Sequence, residues 1–406
     1  MKFNFKAHHP RGPYEGMPLD QWQDWKWQLK NSLKSETDFA KVYSLSESER
    51  QGFLKTSKVF SIRSTPYYAT LGDPLLPEDP LRLIQTPDFK ETASHYQEME
   101  DPLGENKNSV NRRLVHRYAD RVLFLVTDFC SVYCRYCTRK RFTGQDQAFI
   151  GSKDYEASLE YIRSRQGLRE VILSGGDPLT LSDDRIEKIL SDLRKIEHIE
   201  VIRIGSRMPT VNPFRITQDL VQILKKYKPV FFMAHFNHPR EITMEAALSI
   251  ERLVDNGVPV MNQMVLLNGI NNHPAIVQAL SRRLLYLRAK PYYMFQCDPS
   301  MGTDHLRTSI LDSQAIQKEL WGHLSGLAMP QFSVDIPNGG GKAGLAPDFV
   351  KNKEGSVWRF QGYDGVKSDY VNPPLETIKR PTDAGLYLDE WDELKGARRY
   401  KKRDSN

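Results

Sequence analysis

The chain has little cysteine, no long apolar run and only a small excess of positive charge over its 406 residues. Its four cysteines are too few for a disulfide framework, so we expect a protein of the reducing cytoplasm. No stretch approaches the roughly eighteen consecutive apolar residues that a membrane span requires. The first residues also lack the apolar run of a signal peptide. We therefore expect no membrane partner.

The small excess of positive charge comes mostly from the C-terminal end of the chain. The formal net charge is +6, and residues 395–404 contain six basic side chains against one acidic side chain. The rest of the chain is therefore near neutral, which argues against a broad nucleic-acid-binding surface. Such a charged end is usually solvated, and we expect no nucleic-acid partner. With 39% hydrophobic residues, the chain can bury the core of one large domain with appendages.

Three of the four cysteines lie close together. Cys130, Cys134 and Cys137 fall within eight residues in a C-x3-C-x2-C spacing. Three thiolates on a loop that leaves a strand can bind three irons of a 4Fe–4S cluster and leave the fourth iron without a protein ligand. A zinc site would need a second pair of cysteines, and no such pair follows. Buried structural cysteines would need no fixed spacing, so the pattern favours an iron–sulfur cluster.

A repeating pattern of strands and helices begins near residue 120. The predicted strands are Arg121–Val126, Glu170–Leu173, Glu200–Ile204, Val230–Ala234, Val258–Val265, Lys290–Gln296 and Gln331–Ile336. Helical patterns lie between most of them, for example Asp154–Arg165, Asp184–Ile196, Thr243–Asn256 and Ala275–Arg288. Strands that alternate with helices predict a parallel sheet with right-handed crossovers. The fold class is therefore α/β, a partial barrel of about six to seven parallel strands.

The pattern divides the chain into three regions. Residues 1–115 are predicted to form an N-terminal helical region, and residues 116–342 form the partial barrel. Residues 343–406 form a short C-terminal extension that contains a hairpin, Ser356–Phe360 and Val366–Val371, and the basic tail.

Chemically active side chains follow the predicted strand ends. The cysteines follow the first strand, and the others are Ser174–Asp177 after the second, Ser206 and Arg207 after the third, His235 after the fourth, Asp298 after the sixth and Asp335 at the end of the seventh. Because the carboxyl ends of barrel strands meet on one face, we expect one site there.

The cysteine loop resembles that of the radical S-adenosylmethionine enzymes, and most of the chain, from Asp24 to about residue 350, resembles the lysine 2,3-aminomutases. The matching runs are His116-Arg-Tyr-Ala-Asp-Arg121-Val, Cys137-Thr-Arg139, Arg203-Ile-Gly-Ser-Arg207, His235-Phe-Asn-His-Pro239, Gln296-Cys-Asp298 and Gly339-Gly-Gly-Lys342. The resemblance implies an isomerase that interconverts L-lysine and L-β-lysine through a 5′-deoxyadenosyl radical and an imine of the substrate with pyridoxal 5′-phosphate. The implied cofactors are a 4Fe–4S cluster, S-adenosyl-L-methionine and pyridoxal phosphate. The implied partners are an external electron donor, such as flavodoxin or ferredoxin, and further copies of the chain in a homo-oligomer.

The resemblance also assigns cofactor-binding residues. Lys342, after a run of three glycines, matches the lysine that forms an imine with pyridoxal phosphate. A nucleotide-binding P-loop is excluded, because Ala343 stands where Ser or Thr should bind magnesium. Arg117 and Arg121 are expected to bind the phosphate of pyridoxal phosphate. The residues expected near S-adenosylmethionine are Ser174, Gly175, Gly176, Asp177, His235 and Gln263.

Three further matching residues indicate which charged groups the substrate carries. Arg139 matches the arginine that pairs with the substrate carboxylate, for which a forked guanidinium is suited. Asp298 and Asp335 match the two acids that receive the ε-ammonium group, and two acids at adjacent strand ends would otherwise repel each other. Arginine would also satisfy this acid pair, whereas glutamate is disfavoured.

Other interpretations remain open at this stage. A member of the same family could act on arginine, or could supply β-lysine for the modification of a translation factor. A protein that binds zinc or nucleic acid through the cysteine loop and the basic tail is the non-enzymatic alternative. Ordinary structural roles are a tight turn for Gly175 and Gly176, a solvated charge pair for Arg117 and Arg121, and loop or cap acids for Asp298 and Asp335.

The chain departs from the family pattern in three places. Tyr136 replaces the histidine that is usual between the second and third cysteines, and Pro337-Asn338 precedes three glycines where four are usual. The C-terminal cysteines that bind structural zinc in some members are absent, so zinc is not predicted.

Overall fold

A computed structural model describes residues 3–56, 60–93, 96–144, 149–378, 381 and 383–389. Within these ranges the chain forms a ten-stranded sheet and a separate three-stranded sheet. The basic tail at 395–404 lies outside the described residues. In the part that is described, no helix has both the length and the apolar character needed to cross a membrane.

The large sheet contains its strands in chain order. They are β1 Ser109–Asn111, β2 Leu114–Tyr118, β3 Arg121–Thr127, β4 Glu170–Gly175, β5 Val201–Gly205, β6 Val230–Ala234, β7 Val260–Leu266, β8 Ala289–Gln296, β9 Gln331–Ile336 and β10 Gly341–Gly344. Strands β3 to β9 are parallel, whereas β1 and β2 at one edge and β10 at the other are antiparallel. The predicted partial barrel of six to seven parallel strands is therefore confirmed.

The helices fall into two groups. The N-terminal region contains short helices, α1 Leu19–Trp22, α2 Trp25–Lys30, α3 Glu36–Ala40, α4 Glu47–Thr56, α5 Pro66–Ala69 and α6 Pro80–Leu83. The barrel helices are α7 Ser152–Ser164, α8 Asp183–Arg194, α9 Met208–Val211, α10 Gln218–Lys226, α11 Met244–Asp255, α12 Pro274–Tyr286 and α13 Ile310–Leu320. The small sheet contains β11 Val350–Glu354, β12 Val357–Gln361 and β13 Lys367–Val371.

The core lies between the sheet and the barrel helices. Helix α11 buries Ala246, Ile250 and Leu253 at the spacing of one helical face, and the Thr243 hydroxyl caps its first turn by accepting from the Ala246 N–H. Along β7 burial alternates, so that Val260 and Met264 face the same core as α11. Met261 and Gln263, which alternate with the buried residues, face the opposite side of the sheet.

The two edges of the large sheet approach each other without forming a ladder in the described residues. Asn338 precedes β10, and Pro102 precedes β1. The Asn338 N–H donates to the Pro102 carbonyl at 3.0 Å. Gly104 lies so close that a Cβ there would come within 2.8 Å of the Gly339 nitrogen. Edge strand β1 pairs only with Leu114 and Val115 of β2, and the Tyr118 ring at the end of β2 lies 5.9 Å from Lys342 Nζ of β10. Strand β10 and the end of β2 therefore flank a seam in the barrel wall.

Candidate active site

The cysteine loop follows β3 and packs against the N-terminal region. The Tyr133 N–H donates to the Arg63 carbonyl at 3.1 Å, and the Arg135 N–H donates to the Ile84 carbonyl at 2.9 Å. The Arg135 guanidinium forms a buried ion pair with Glu91, in which Nε donates to Oε1 at 2.7 Å. The loop is thus fixed by residues that precede the barrel in the chain.

The turn after β4 holds the other side of the cysteine loop. The Gly176 N–H donates to the Thr127 carbonyl at 2.6 Å, and the Asp177 N–H donates to the Phe129 carbonyl at 2.9 Å. A Cβ on Gly175 would overlap the Thr127 oxygen, and one on Gly176 would overlap the Phe129 oxygen. Both glycines are therefore required by this close backbone approach, as in the tight-turn interpretation.

The Asp177 carboxylate is buried and accepts three hydrogen bonds. Its donors are the Ser206 hydroxyl at 2.8 Å, the Arg207 N–H at 2.9 Å and the Leu179 N–H at 3.0 Å. Burial raises the pKa of Asp177 despite these donors. Asp177 thus ties the turn after β4 to the end of β5.

Arg207 links the cysteine loop to a buried acid. Its Nη1 lies 2.8 Å from Cys134 Sγ, and its Nη2 donates to Glu241 Oε1 at 2.8 Å and to the Tyr68 hydroxyl at 2.7 Å. Burial disfavours the charged guanidinium, but Cys134, Tyr136 and the other neighbours outweigh it and raise the pKa of Arg207 well above its usual value. Arg207 therefore stays cationic beside a cysteine sulfur, a role that the sequence analysis did not assign.

Tyr136 lies beside His235 at the end of β6. The two rings stack with centroids 5.7 Å apart, and the Tyr136 hydroxyl lies 2.7 Å from His235 Nε2. The Asn237 side chain also donates to this hydroxyl at 2.7 Å. Burial, with Arg207 nearby, lowers the pKa of His235 to about 3, so its ring is neutral. The replacement of histidine by Tyr136 is thus accommodated by two polar partners.

The three clustered thiols lie close enough to affect one another. Burial first, and then Cys137, Asp177 and Cys134, raise the pKa of Cys130 well above its usual value. In the described part of the chain, no group of three or more His, Cys, Asp or Glu side chains is spaced to share one metal ion. In an iron–sulfur cluster, by contrast, each thiolate binds its own iron.

Arg139 is held at two points just beyond the third cysteine. Its Nε donates to Glu105 Oε1 at 2.9 Å, and its Nη1 donates to the Ser174 hydroxyl at 3.2 Å. Burial opposes the charge, but Glu105 outweighs it and raises the pKa of Arg139. Ser174, predicted near S-adenosylmethionine, thus contacts the arginine that is predicted to bind substrate.

Lys342 lies on β10, opposite Asp335 on β9. The antiparallel register pairs the two residues, and Lys342 Nζ lies 3.2 Å from Asp335 Oδ1. The ammonium also lies 5.0 Å from the centre of the Phe295 ring and 5.9 Å from that of Tyr118. About a third of the Lys342 side chain, 32%, is exposed. Lys342 therefore lies on the edge strand β10, which borders the seam.

Asp298 joins this acid–base group. Burial and the neighbouring Asp335 raise its pKa to about 7, while Lys342, Arg117 and Arg307 oppose the shift. Because β8 and β9 are parallel neighbours with Phe295 in register with Ser333, the two predicted acids lie at adjacent strand ends, and Asp335 pairs with Lys342. At neutral pH Asp298 is only partly ionised.

Arg117 and Arg121 lie on either side of Tyr118, at the β2–β3 turn. The Arg121 guanidinium is 3.9 Å from the centre of the Tyr118 ring, and that of Arg117 is 5.3 Å away. Arg121 also pairs with Asp120 at 2.7 Å. Arg117 Nη2 and the Tyr118 hydroxyl are buried, and neither has a hydrogen-bond partner among the described residues. Two arginines and an unpaired hydroxyl therefore converge near Lys342, and Tyr118 was not assigned from the sequence.

Two further predicted features are placed by the backbone. Gln263 lies in the middle of β7, on the face opposite the helices and in register with Tyr293 of β8. Asn338 stands where a fourth glycine is usual and adopts a left-handed conformation, with φ 59°. Asparagine tolerates this region better than other residues with a side chain, so the departure preserves the backbone path.

Comparison with known proteins identifies relatives over most of the chain. A model of the radical SAM superfamily matches residues 124–278, and a model described as lysine-2,3-aminomutase matches residues 317–395. The L-lysine 2,3-aminomutase of Bacillus subtilis (strain 168) is 43% identical over 360 residues, which cover 89% of this chain and 76% of the relative. The chain belongs to the lysine 2,3-aminomutase family.

Other members of the lysine 2,3-aminomutase family match to a similar extent. The L-lysine 2,3-aminomutase of Clostridium subterminale is 42% identical over 352 residues, 87% of this chain and 85% of the relative. A glutamate 2,3-aminomutase of Clostridioides difficile (strain 630) is 37% identical over 361 residues, 89% of this chain and 85% of the relative. The chain is therefore an isomerase of the radical S-adenosylmethionine type.

The lysine 2,3-aminomutase family uses a 4Fe–4S cluster, S-adenosylmethionine and pyridoxal phosphate, and the residues of this chain fit these groups. Three thiols with a cation at Cys134 suit an anionic cluster. The unpaired Arg117 Nη2 and Tyr118 hydroxyl are donors suited to a phosphate, and Lys342 is a primary amine nearby. Neutral His235 lies beside the loop that would bind S-adenosylmethionine with the cluster.

Proposed function

We propose that this protein interconverts L-lysine and L-β-lysine. The observation that carries the proposal is the grouping of Asp298 and Asp335 beside Lys342, because two acids at one end of the site favour a substrate with a distant ammonium group. The identity to relatives named L-lysine 2,3-aminomutase, 43% and 42%, exceeds the 37% identity to the glutamate enzyme, which supports the same substrate.

In this proposal the cysteine loop and the turn after β4 serve the radical side of the reaction. Cys130, Cys134 and Cys137 would bind the cluster, and His235 and Gln263 would contact S-adenosylmethionine. With an electron from the cluster, S-adenosylmethionine supplies the carbon radical that removes and returns a substrate hydrogen. Arg207 balances negative charge at Cys134, and the buried turn residues hold the loop and exclude water.

The seam between β10 and β2 would serve the amino-group side. Pyridoxal phosphate supplies a ring that stabilises the substrate radical during nitrogen migration. Lys342 would hold the cofactor through Nζ, and Arg117, Tyr118 and Arg121 would bind its phosphate. Lys342 Nζ lies 3.2 Å from Asp335 Oδ1, so a positive charge on this amine would be compensated by the carboxylate.

Substrate orientation follows from charges at two ends. Arg139 would bind the carboxylate, and Asp298 with Asp335 would bind the ε-ammonium. Fixing both ends places the reacting carbons between the two cofactors, which is the part of catalysis that the protein supplies by orientation.

The proposal extends to partners and compartment. An external one-electron donor such as flavodoxin or ferredoxin would bring the cluster to its reduced state, and the isomerisation itself consumes no net electrons. We also propose a homo-oligomer in the cytoplasm, where thiols stay reduced.

The decisive experiment supplies the anaerobically reconstituted protein with S-adenosylmethionine, dithionite and either L-lysine, L-arginine or L-glutamate. We expect L-β-lysine as the main product, detected by chromatography against a standard. Turnover of L-glutamate should be at least about 100-fold slower, since an unpaired buried charge costs several kcal/mol. L-arginine would also satisfy the acid pair, so the comparison with L-arginine decides the substrate. A β-amino acid formed mainly from L-arginine would replace the proposed substrate. A colourless zinc protein without pyridoxal absorption would contradict the enzyme assignment altogether.

A further inference from the structure

Residues 101–108, here called the strap, cross the seam and contact the pyridoxal side of the site. The Pro102 carbonyl accepts from the Asn338 N–H at 3.0 Å, and Gly104 packs directly on the backbone of Gly339. The Leu103 carbonyl accepts from Arg117 Nη1 at 3.4 Å. The strap thus touches both the glycine run that leads to Lys342 and an arginine that is proposed to bind phosphate.

The other end of the strap presents Glu105 to Arg139. The Asp101 carboxylate accepts from the Glu105 N–H at 2.9 Å and from the Asn106 N–H at 2.8 Å, which fixes the backbone of the turn. Glu105 is 8% exposed, and its Oε1 accepts from Arg139 Nε at 2.9 Å. Its Oε2 lies 3.5 Å from Arg141 Nη2. A buried carboxylate is therefore fixed against one edge of the Arg139 guanidinium.

The contacts of Arg139 leave one part of the guanidinium for a ligand. A guanidinium is planar and has five N–H donors in a fixed geometry. Glu105 occupies Nε and Ser174 occupies Nη1, whereas Nη2 makes no side-chain hydrogen bond among the described residues. With two points fixed, the guanidinium plane cannot rotate, and the direction of Nη2 is set.

We propose that Glu105 is a positioning residue for substrate binding: it orients Arg139 so that its free N–H donors face the substrate carboxylate. The inference rests on the proposed function, because it takes Arg139 as the carboxylate-binding residue. The buried negative charge of Glu105 also prevents Arg139 from adopting other ion pairs when the site is empty. Since the strap also contacts the glycine run, one short segment sets the separation of Arg139 and Lys342.

The test compares Glu105→Gln with Glu100→Gln, a control with the same chemical change at an exposed position just before the strap. Each protein is reconstituted with its cluster and pyridoxal phosphate, and the visible band of the bound cofactor is titrated without S-adenosylmethionine. The two titrants are L-lysine and L-lysinamide, which lacks the carboxylate. This readout measures substrate binding and requires no turnover.

For Glu105→Gln we expect the apparent Kd of L-lysine to rise about tenfold, because a misaligned guanidinium loses a charge-assisted hydrogen bond to the carboxylate. The Kd of L-lysinamide should change less than about twofold, and Glu100→Gln should match the wild type for both titrants. Iron and pyridoxal contents equal to those of the wild type would accompany this result.

Three outcomes would overturn the inference. An equal weakening of both titrants would assign Glu105 a purely structural role, and so would a loss of iron or pyridoxal phosphate. Unchanged binding of both titrants would exclude any role in binding. If L-lysine fails to shift the cofactor band of the wild-type protein, the proposed function fails, and the inference fails with it.

Discussion

The cysteine loop and the seam around Lys342 contrast in how deeply their ion pairs are buried. Around the loop, Arg135 meets Glu91 and Arg207 meets Glu241 in buried ion pairs, and the turn glycines close on the loop backbone. At the seam, the lysine is partly exposed, and Arg117 Nη2 and the Tyr118 hydroxyl lack partners among the described residues. Buried donors without a partner among the described residues occur at the loop as well, at Arg207 Nε and the Tyr133 hydroxyl. The two regions therefore differ in their ion pairs, which are buried at the loop and partly exposed at Lys342.

The difference shows which of the two cofactor sites is held in place by contacts within the protein. A cluster contributes few directional hydrogen bonds, so the loop that holds it must be fixed by neighbouring side chains. A phosphate accepts several directional hydrogen bonds, so donors can be left unpaired until it binds. Unpaired buried donors cost free energy, which binding of pyridoxal phosphate would recover.

The largest effect should follow from Lys342→Ala. We expect loss of the visible band of covalently held pyridoxal phosphate and loss of all detectable activity, because no other amine replaces Nζ. The free energy of unfolding should fall by no more than about 2 kcal/mol, since the ion pair with Asp335 is partly exposed. The control Lys351→Ala, on the exposed strand β11, should retain the band. A retained band in Lys342→Ala would show that another residue binds the cofactor.

The second-largest effect should follow from Arg207→Met, which removes a buried ion pair beside the cysteine loop. This change leaves Glu241, 0% exposed, without its cationic partner and should destabilise the fold by about 3–5 kcal/mol in urea unfolding. The control is Arg203→Met on β5, the strand that precedes Arg207; the pair of Arg203 with Glu170 is partly exposed and should be worth about 1 kcal/mol or less. Equal losses for the two variants would contradict the contrast between the regions.

The smallest effect concerns the pH dependence of L-lysine binding. The free protein holds the pKa of Asp298 near 7, and an adjacent ammonium favours the ionised form, so binding releases a proton below pH 7. The apparent Kd should therefore rise as pH falls below 7, by up to about tenfold per pH unit. In Asp298→Asn this slope should largely disappear, and a slope equal to that of the wild type would assign the titration to another group.

The raised pKa of Asp298 also predicts how the stability of the fold changes with pH. Because the folded pKa of Asp298 is raised from 3.8 to about 7, the folded protein binds more protons than the unfolded chain between these values. The contribution of this group to stability is thus greatest at low pH and is lost as pH rises through 7.

The strands and their order could be predicted because their apolar segments are separated by helical patterns of regular length. All seven predicted strands correspond to β3–β9 within a few residues. Strand β10 was missed, because Gly-Lys-Ala-Gly has none of the β-branched residues that favour strands, and it forms only by pairing with β9. The register that places Lys342 opposite Asp335 therefore could not be derived from the sequence.

Contacts between residues far apart in the chain could not be predicted from the sequence either. Arg207, Glu241 and Tyr68 are far apart in the chain, and each alone reads as an ordinary polar or aromatic residue. Glu105 lies in a segment without regular periodicity, so nothing indicated its contact with Arg139. Tyr118 stood between two assigned arginines, and that position was the one signal that could have identified it.

The position of the seam has a consequence for the order of assembly during synthesis. The hydrogen-bond partners of residues 133–136, from Ser61 to Asn237, precede β7 in the chain. The pyridoxal site needs Lys342, which the ribosome adds about a hundred residues later. A nascent chain therefore has the ligands for iron before it has the amine for pyridoxal phosphate, and the second cofactor can be captured only after Lys342 has been added.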